Sequence, residues 1–209
     1  MRRTAFISIL TFVLLVLPVT AKLPAHVESI KPLYVGEQAV CTTWALNKKA
    51  GLWMTAAHCV AFWADIDGEW TMVRYANLVI AGKPATIVKV DPEDDLALLH
   101  ADVHERGFRI GNYPSVGDEV TVYGFPGGWI SPIPTWLHVS NTFMTFEGTA
   151  RAWMLLDGSV WPGHSGSPII NKHGKVIGVV QAHGTDRYAG ATFASAWTDF
   201  HAFIAGFTE

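Results

Sequence analysis

Asp157-Gly-Ser-Val-Trp-Pro-Gly-His-Ser-Gly-Ser-Pro168 is the stretch on which the reading of this chain turns. It is a polar turn between two apolar segments, with Gly163 and Gly166 on either side of Ser165. Glycine has no Cβ, so Gly163 can bring its backbone close to a bound carbonyl. A tight turn here can aim the N–H groups of Gly163 and Ser165 at one developing negative charge. This is the setting an activated serine needs. Gly-x-Ser-Gly alone also describes an ordinary hairpin, so the rest of the chain has to decide.

Two other segments supply the missing chemistry. Thr55-Ala-Ala-His58-Cys59 follows an apolar run, and Asp95-Leu-Ala-Leu-Leu99 opens another. A serine hydroxyl is a weak nucleophile until a neighbouring imidazole takes its proton, and the imidazole needs a carboxylate to orient it. Asp91 and Asp94 compete for that last role, but Asp95 directly precedes the apolar strand and the other two read as solvated loop residues.

Outward from these segments the pattern is all-β. Short apolar runs are expected as strands over 39–46, 52–55, 70–75, 85–90, 96–99, 119–123, 167–170 and 176–181, bracketed by turn dipeptides such as Ala50-Gly51, Asp67-Gly68 and His173-Gly174. A helical period shows only near the C-terminus, where Trp197, Phe200, His201 and Ile204 share a face. There is no fixed-period repeat and no polar linker, so a two-part architecture means two units packed directly together, joined near 103–114.

Half the residues are hydrophobic, and nine Trp and eleven Phe supply material for a large core. A formal net charge of −3 with scattered Lys and Arg offers no basic stripe, which argues against nucleic-acid binding. At the N-terminus Arg2 and Arg3 precede an apolar run from Ala5 to Val19, with small residues at Val19-Thr20-Ala21. Residues 1–21 are therefore expected to be a signal peptide and 22–209 the mature chain, secreted or periplasmic. The alternative is a retained membrane anchor, although the run is shorter than the ~20 residues a spanning helix needs. Cys41 and Cys59 are the only cysteines, and an exported chain normally pairs them.

The motif Thr55-Ala-Ala-His58-Cys59, with the chain order His, Asp, Ser, resembles the chymotrypsin-like serine protease family over about 39–205. Asp91 to Leu99, Val116 to Val120, Gly124-Phe-Pro-Gly127 and Asp157 to Asn171 are similar to bacterial high-temperature-requirement proteases. Gly-x-Ser-Gly-Ser-Pro is closer to secreted glutamyl endopeptidases, although their acid-binding His would fall at Val180. The resemblance implies two packed six-stranded Greek-key β-barrels with a short C-terminal helix, about 30–108 and 109–209. It implies a catalytic triad of His58, Asp95 and Ser165, an oxyanion hole from Gly163 and Ser165, and a Cys41–Cys59 disulfide. It implies protein or peptide substrates, no cofactor and no metal; with the sequence stopping at Glu209, the PDZ module that many of those enzymes append is not expected. His164 stands where pancreatic-type enzymes carry an Asp, so activation by a freshly cut N-terminus is not expected. A catalytically silent or switch-gated binding protein on the same fold remains the alternative.

By the same resemblance Ser159 and Val160 would line the primary specificity pocket together with Val180 and the residues near Ala191 to Phe193, and since none is charged a small or medium apolar side chain is expected there. The alternative is that His183 reaches the pocket and binds an acid. His100 and His104 have metal-like spacing, but a zinc site needs three or four ligands and no further one is evident.

Overall fold

The computed structural model describes residues 26–47, 49–146, 149 and 151–208. The expected signal peptide lies outside them. Among the described residues no helix is long and apolar enough to cross a membrane.

The strands close into two antiparallel barrels. The first comprises β1 (Ile30–Val35), β2 (Gln38–Asn47), β3 (Leu52–Thr55), β6 (Leu78–Ile80), β7 (Lys83–Asp91) and β8 (Leu96–Ala101), while β4 (Ala61–Ile66) and β5 (Glu69–Arg74) form a separate hairpin. The second comprises β9 (Glu119–Gly124), β10 (Ile133–Thr145), β11 (Ala152–Asp157), β12 (Pro168–Asn171), β13 (Val176–His183) and β14 (Ala191–Ser195). The neighbour order is β1-β2-β3-β8-β7-β6 in one and β9-β10-β11-β14-β13-β12 in the other. Counted from each barrel's own first strand, the two orders are the same. Closure removes the open sheet edges that would otherwise invite aggregation.

Three apolar clusters hold this arrangement together. Leu33, Trp53, Ile80 and Leu99 fill the first barrel, and Val122, Leu156, Ile169 and Val180 fill the second. The third lies on the seam: Trp44, Met54 and Leu98 from the first barrel meet Phe125, Val179, Phe200, Phe203 and Ile204. Phe200, Phe203 and Ile204 come from the end of the chain, where α1 (Trp197–Phe203) runs. The helix therefore packs across the seam between the barrels rather than against one of them. His201 of the expected face stays exposed and stacks on Trp197 at 4.6 Å.

Cys41 of β2 and Cys59 form a disulfide 18 residues apart in sequence. Closing a loop of that length restricts the unfolded chain enough to contribute about 3 kcal/mol. It also ties β2 to the turn that carries His58.

Candidate active site

His58 sits on a one-turn 3-10 segment (Ala57–Cys59) directly after β3. Asp95 occupies the last position before β8 in a left-handed conformation, φ 51°. Ser165 lies on the turn between β11 and β12. The first barrel thus supplies two of the three side chains and the second barrel supplies the third.

The His58 and Asp95 side chains meet closely. Asp95 Oδ1 accepts the backbone N–H of His58 at 2.8 Å, and both carboxylate oxygens lie within 3.0 Å of His58 Nδ1. An ionised carboxylate only accepts, so Nδ1 carries the proton and Nε2 is left with a free lone pair. Asp95 is also approached by Arg151 Nη2 at 3.4 Å, and the Arg151 guanidinium lies 4.9 Å over the Trp153 ring. Of the three candidate carboxylates, only Asp95 reaches the imidazole. Asp91 instead accepts the backbone N–H groups of Glu93 and Asp94, a turn-capping role. The Asp94 carboxyl is pushed above its ordinary range by burial, helped by the nearby Asp199 and Asp91.

His58 and Ser165 line one cleft of about 620 Å³, together with the Cys41–Cys59 disulfide, Gly163 and the end of β13. The turn that carries Ser165 is held from the first barrel by Thr42. Its backbone N–H donates to the Ser165 carbonyl at 2.8 Å and its Oγ1 to the Gly163 carbonyl at 2.7 Å, while Phe125 N–H donates to the same Oγ1 at 3.1 Å. On the other side Gln181 Nε2 donates to the Asp94 carbonyl at 2.6 Å. Thr42 and Gln181 are interior polar residues that lock one barrel's functional segment to the other. Sequence reasoning did not find them, because a single Thr or Gln in an apolar strand gives no sign of what lies across the seam.

The peptide planes of the serine turn are fixed as well. The Pro162 carbonyl accepts Gly127 N–H at 3.1 Å, and the His164 carbonyl accepts Ser167 N–H at 2.9 Å. No peptide bond among the described residues is cis, so each of these carbonyls turns the next N–H, of Gly163 and of Ser165, to the opposite side. Neither N–H donates to any described residue. Gly163 holds φ 101°, and a Cβ there would run into the Phe125 carbonyl oxygen, so this position admits only glycine.

His164 is buried beneath this turn, 1% exposed, with Nδ1 3.2 Å from the Trp161 carbonyl and no partner for Nε2 among the described residues. Burial depresses its basicity below the ordinary 6.5, partly opposed by the nearby Trp161 and Ile133 carbonyls. The unfolded chain takes up this proton near pH 6.5 and the folded chain resists it, so the stability contributed by neutral His164 is lost as pH falls below that value. Urea unfolding should therefore show the wild type losing more midpoint than His164→Phe between about pH 7.5 and about pH 5. Asp94 contributes with the opposite sign in both proteins and cancels in the comparison. Equal slopes would refute the assignment.

The expected pocket residues divide. Ser159 is exposed, whereas Val160 and Val180 are 6% and 0% exposed and belong to the second barrel's core. Val180 faces into the barrel, and the register of β13 on β14 shifts between Val180 and Ala182; this irregularity breaks the strand alternation, so Gln181, Ala182 and His183 all border the cleft. At the start of the same loop, Asp157 accepts the backbone N–H of His138. That bond, more than the His138 imidazole at 3.1 Å, holds its carboxyl below the usual range.

A family model described as a trypsin-like peptidase domain matches residues 41–179, well over half the chain. The chain belongs to this family. Residues His58, Asp95 and Ser165 all fall inside the matched region of the trypsin-like peptidase domain. Among curated proteins it is 30% identical over 125 residues to the "Probable periplasmic serine endoprotease DegP-like" of Chlamydia pneumoniae, covering 53% of this chain and 24% of that protein. It is 29% identical over 118 residues to the glutamyl endopeptidase of Staphylococcus aureus, covering 51% and 32%. The domain therefore spans less than a third of the length of these relatives. Among solved structures, the active form of the Rv3671c protease from M. tuberculosis aligns with a TM-score of 0.72 at 21% identity, covering 87% of this chain and 81% of that one. That likeness confirms the chymotrypsin-like double barrel, with two six-stranded barrels and one helix.

Proposed function

We propose that this domain is a serine endopeptidase that cleaves peptide bonds through an acyl-enzyme on Ser165. The observation that carries the reading is the His58–Asp95 couple, which leaves His58 Nε2 free to accept a proton in the cleft that also holds Ser165. Ser165 Oγ attacks the scissile carbonyl as His58 takes its proton. The tetrahedral oxyanion is held by the Gly163 and Ser165 N–H groups. His58 then returns the proton to the departing amine, and a water repeats the sequence to release the acyl half. Asp95 fixes the tautomer and stabilises the imidazolium. The carbonyl anchors on Gly127 and Ser167 support a hole that is already formed, which argues against a gated turn.

The substrate side chain next to the scissile bond is proposed to be uncharged. Among the cleft-lining residues the titratable side chains are His58, His183 and Tyr75, and none is a fixed charge that would select Lys, Arg or Glu. His183 does line the cleft, so preference for an acid is the competing outcome of a peptide library. The disulfide and the periplasmic name of the Chlamydia pneumoniae relative support export, with residues 1–21 as the signal.

A fluorophosphonate probe tests the central claim. Wild-type protein is expected to label at Ser165 and to cleave a mixed peptide library after uncharged residues, and Ser165→Ala to do neither. Folded wild type that does not label would mean a silent protease fold.

A further inference from the structure

Trp129 and Trp161 stand 63% and 69% exposed on the second barrel, a large apolar area to leave facing water. Between them runs a groove of about 590 Å³. Pro126, Gly127, Pro162 and, from β10, Ile133 and Pro134 line it with the two tryptophans. The Thr135 hydroxyl and the two indole N–H groups are the polar side-chain groups of its lining, and no lining side chain is charged.

The groove is continuous with the cleft. Pro162 borders both, and its carbonyl, which accepts the N–H of the groove-lining Gly127, belongs to the same peptide unit as the N–H of the cleft-lining Gly163. The turn bearing Trp129 lies along β2: a Cβ on Gly128 would sit 3.5 Å from Ala39, and Phe125 N–H reaches Thr42. Further along, β2 carries Val40 and the Cys41–Cys59 disulfide, whose sulfurs lie within 4.8 Å of a His58 ring nitrogen. After acylation one half of the substrate is bonded to Ser165. The other half departs past His58, which gives it its proton, and so leaves along the side walled by β2. Both tryptophans are held at the backbone before any substrate arrives: Trp161 O accepts His164 N–H at 3.0 Å, and Trp129 N–H donates to Pro126 O at 3.3 Å. A tryptophan side chain has only about two torsions to fix, so it packs on an apolar group with little loss of freedom.

We propose that the groove between Trp129 and Trp161 binds an apolar side chain of the polypeptide substrate on the leaving-group side of the scissile bond. This rests on the endopeptidase reading and adds a second specificity site to it. The volume suits one or two aliphatic or aromatic side chains.

Two substrate types separate the groove from the chemistry. A nitrophenyl ester of an acylated amino acid has no residue on the leaving side. Internally quenched peptides keep the same acyl half and carry Leu or Phe, or else Ser or Gly, at the first positions beyond the cleaved bond. Wild type is expected to prefer the apolar peptides by about 10- to 100-fold in kcat/KM. Trp129→Ala and Trp161→Ala should each erase most of that preference, losing at least about tenfold more on the apolar peptide than on the ester. Trp70→Ala, exposed on the β4–β5 hairpin, should keep the preference. No wild-type preference at the leaving-side positions would overturn the proposal, as would a preference retained in both groove variants. Binding of wild type to vesicles of phosphatidylcholine and phosphatidylglycerol, lost in Trp129→Ala without change in peptide preference, would overturn it in favour of a membrane-facing patch. A wild type inert towards the ester is a failure of the endopeptidase reading instead. Calorimetric titration of Ser165→Ala with the same peptides then decides the groove: tighter apolar binding that needs Trp129 supports it, and equal binding sinks it.

Discussion

Asp95→Asn is expected to lower kcat by about 10⁴-fold while leaving the fold intact. The asparagine oxygen can still accept the His58 backbone N–H that Asp95 Oδ1 now takes at 2.8 Å, so the turn keeps its shape. Its amide nitrogen, however, presents hydrogens where Asp95 Oδ2 now meets Nδ1 at 2.9 Å. The imidazole answers by moving its proton to Nε2, the atom that has to accept the Ser165 proton, and the imidazolium loses its counter-charge. The nitrophenyl ester reads this without help from peptide binding, and circular dichroism with a melting curve checks the fold. An Asp95→Asn variant with kcat within about tenfold of wild type would mean that the His58–Asp95 couple does not orient the base.

Gly166→Ala is the second large effect, and it acts on stability. Gly166 holds φ 84°, and a Cβ there would overlap both the Thr42 carbonyl oxygen and Thr55 Oγ1. Neither can retreat, since Thr55 Oγ1 donates to that same carbonyl at 2.8 Å and Thr42 also holds the Ser165 and Gly163 carbonyls. Left-handed strain of about 1–2 kcal/mol adds to about 1–3 kcal/mol for forcing atoms into a filled core, a loss of about 2–5 kcal/mol. In a domain of this size that lowers Tm by about 4–20 °C. Moving the serine turn off β2 should also cost about 10²-fold in kcat/KM, because about 1 Å of misplacement is enough. Gly174→Ala is the control: its φ is 69° with nothing within 4 Å of the new Cβ, so it carries the strain without the overlap. Equal losses in the two variants would show that the seam at Gly166 is not filled as described.

Much of the first barrel was legible because its strands are buried and sharply bounded. β3 has the expected limits Leu52–Thr55, and all four residues are buried. The expected run over 39–46 lies within β2, and β7, β8, β9, β12 and β13 each contain the core of an expected strand. Two of the missed strands carry too few buried residues to show a pattern. In β10 only Leu137 and Val139 are buried among thirteen residues, so the strand shows almost no alternation, and in β4 Phe62, Trp63 and Ile66 face solvent. β1, β6, β11 and β14 were also missed. β6 is three residues long, too short for a period to emerge.

The sequence by itself determined the family, the all-β class, the pairing of Cys41 with Cys59, and that His58 meets Asp95 and shares a cleft with Ser165. Glycine placement, a buried strand before His58 and a carboxylate at the head of β8 are local signals that survive without coordinates. Only the tertiary structure decided that both barrels share one strand order, since a closed topology can repeat while its side chains do not. Only the tertiary structure placed Val160 and Val180 in a core, set Thr42 as the strut beneath the serine turn and joined the Trp129–Trp161 groove to the cleft. Each of these depends on contacts between residues far apart in the chain, within one barrel or across the seam, and so lies beyond the reach of any local pattern.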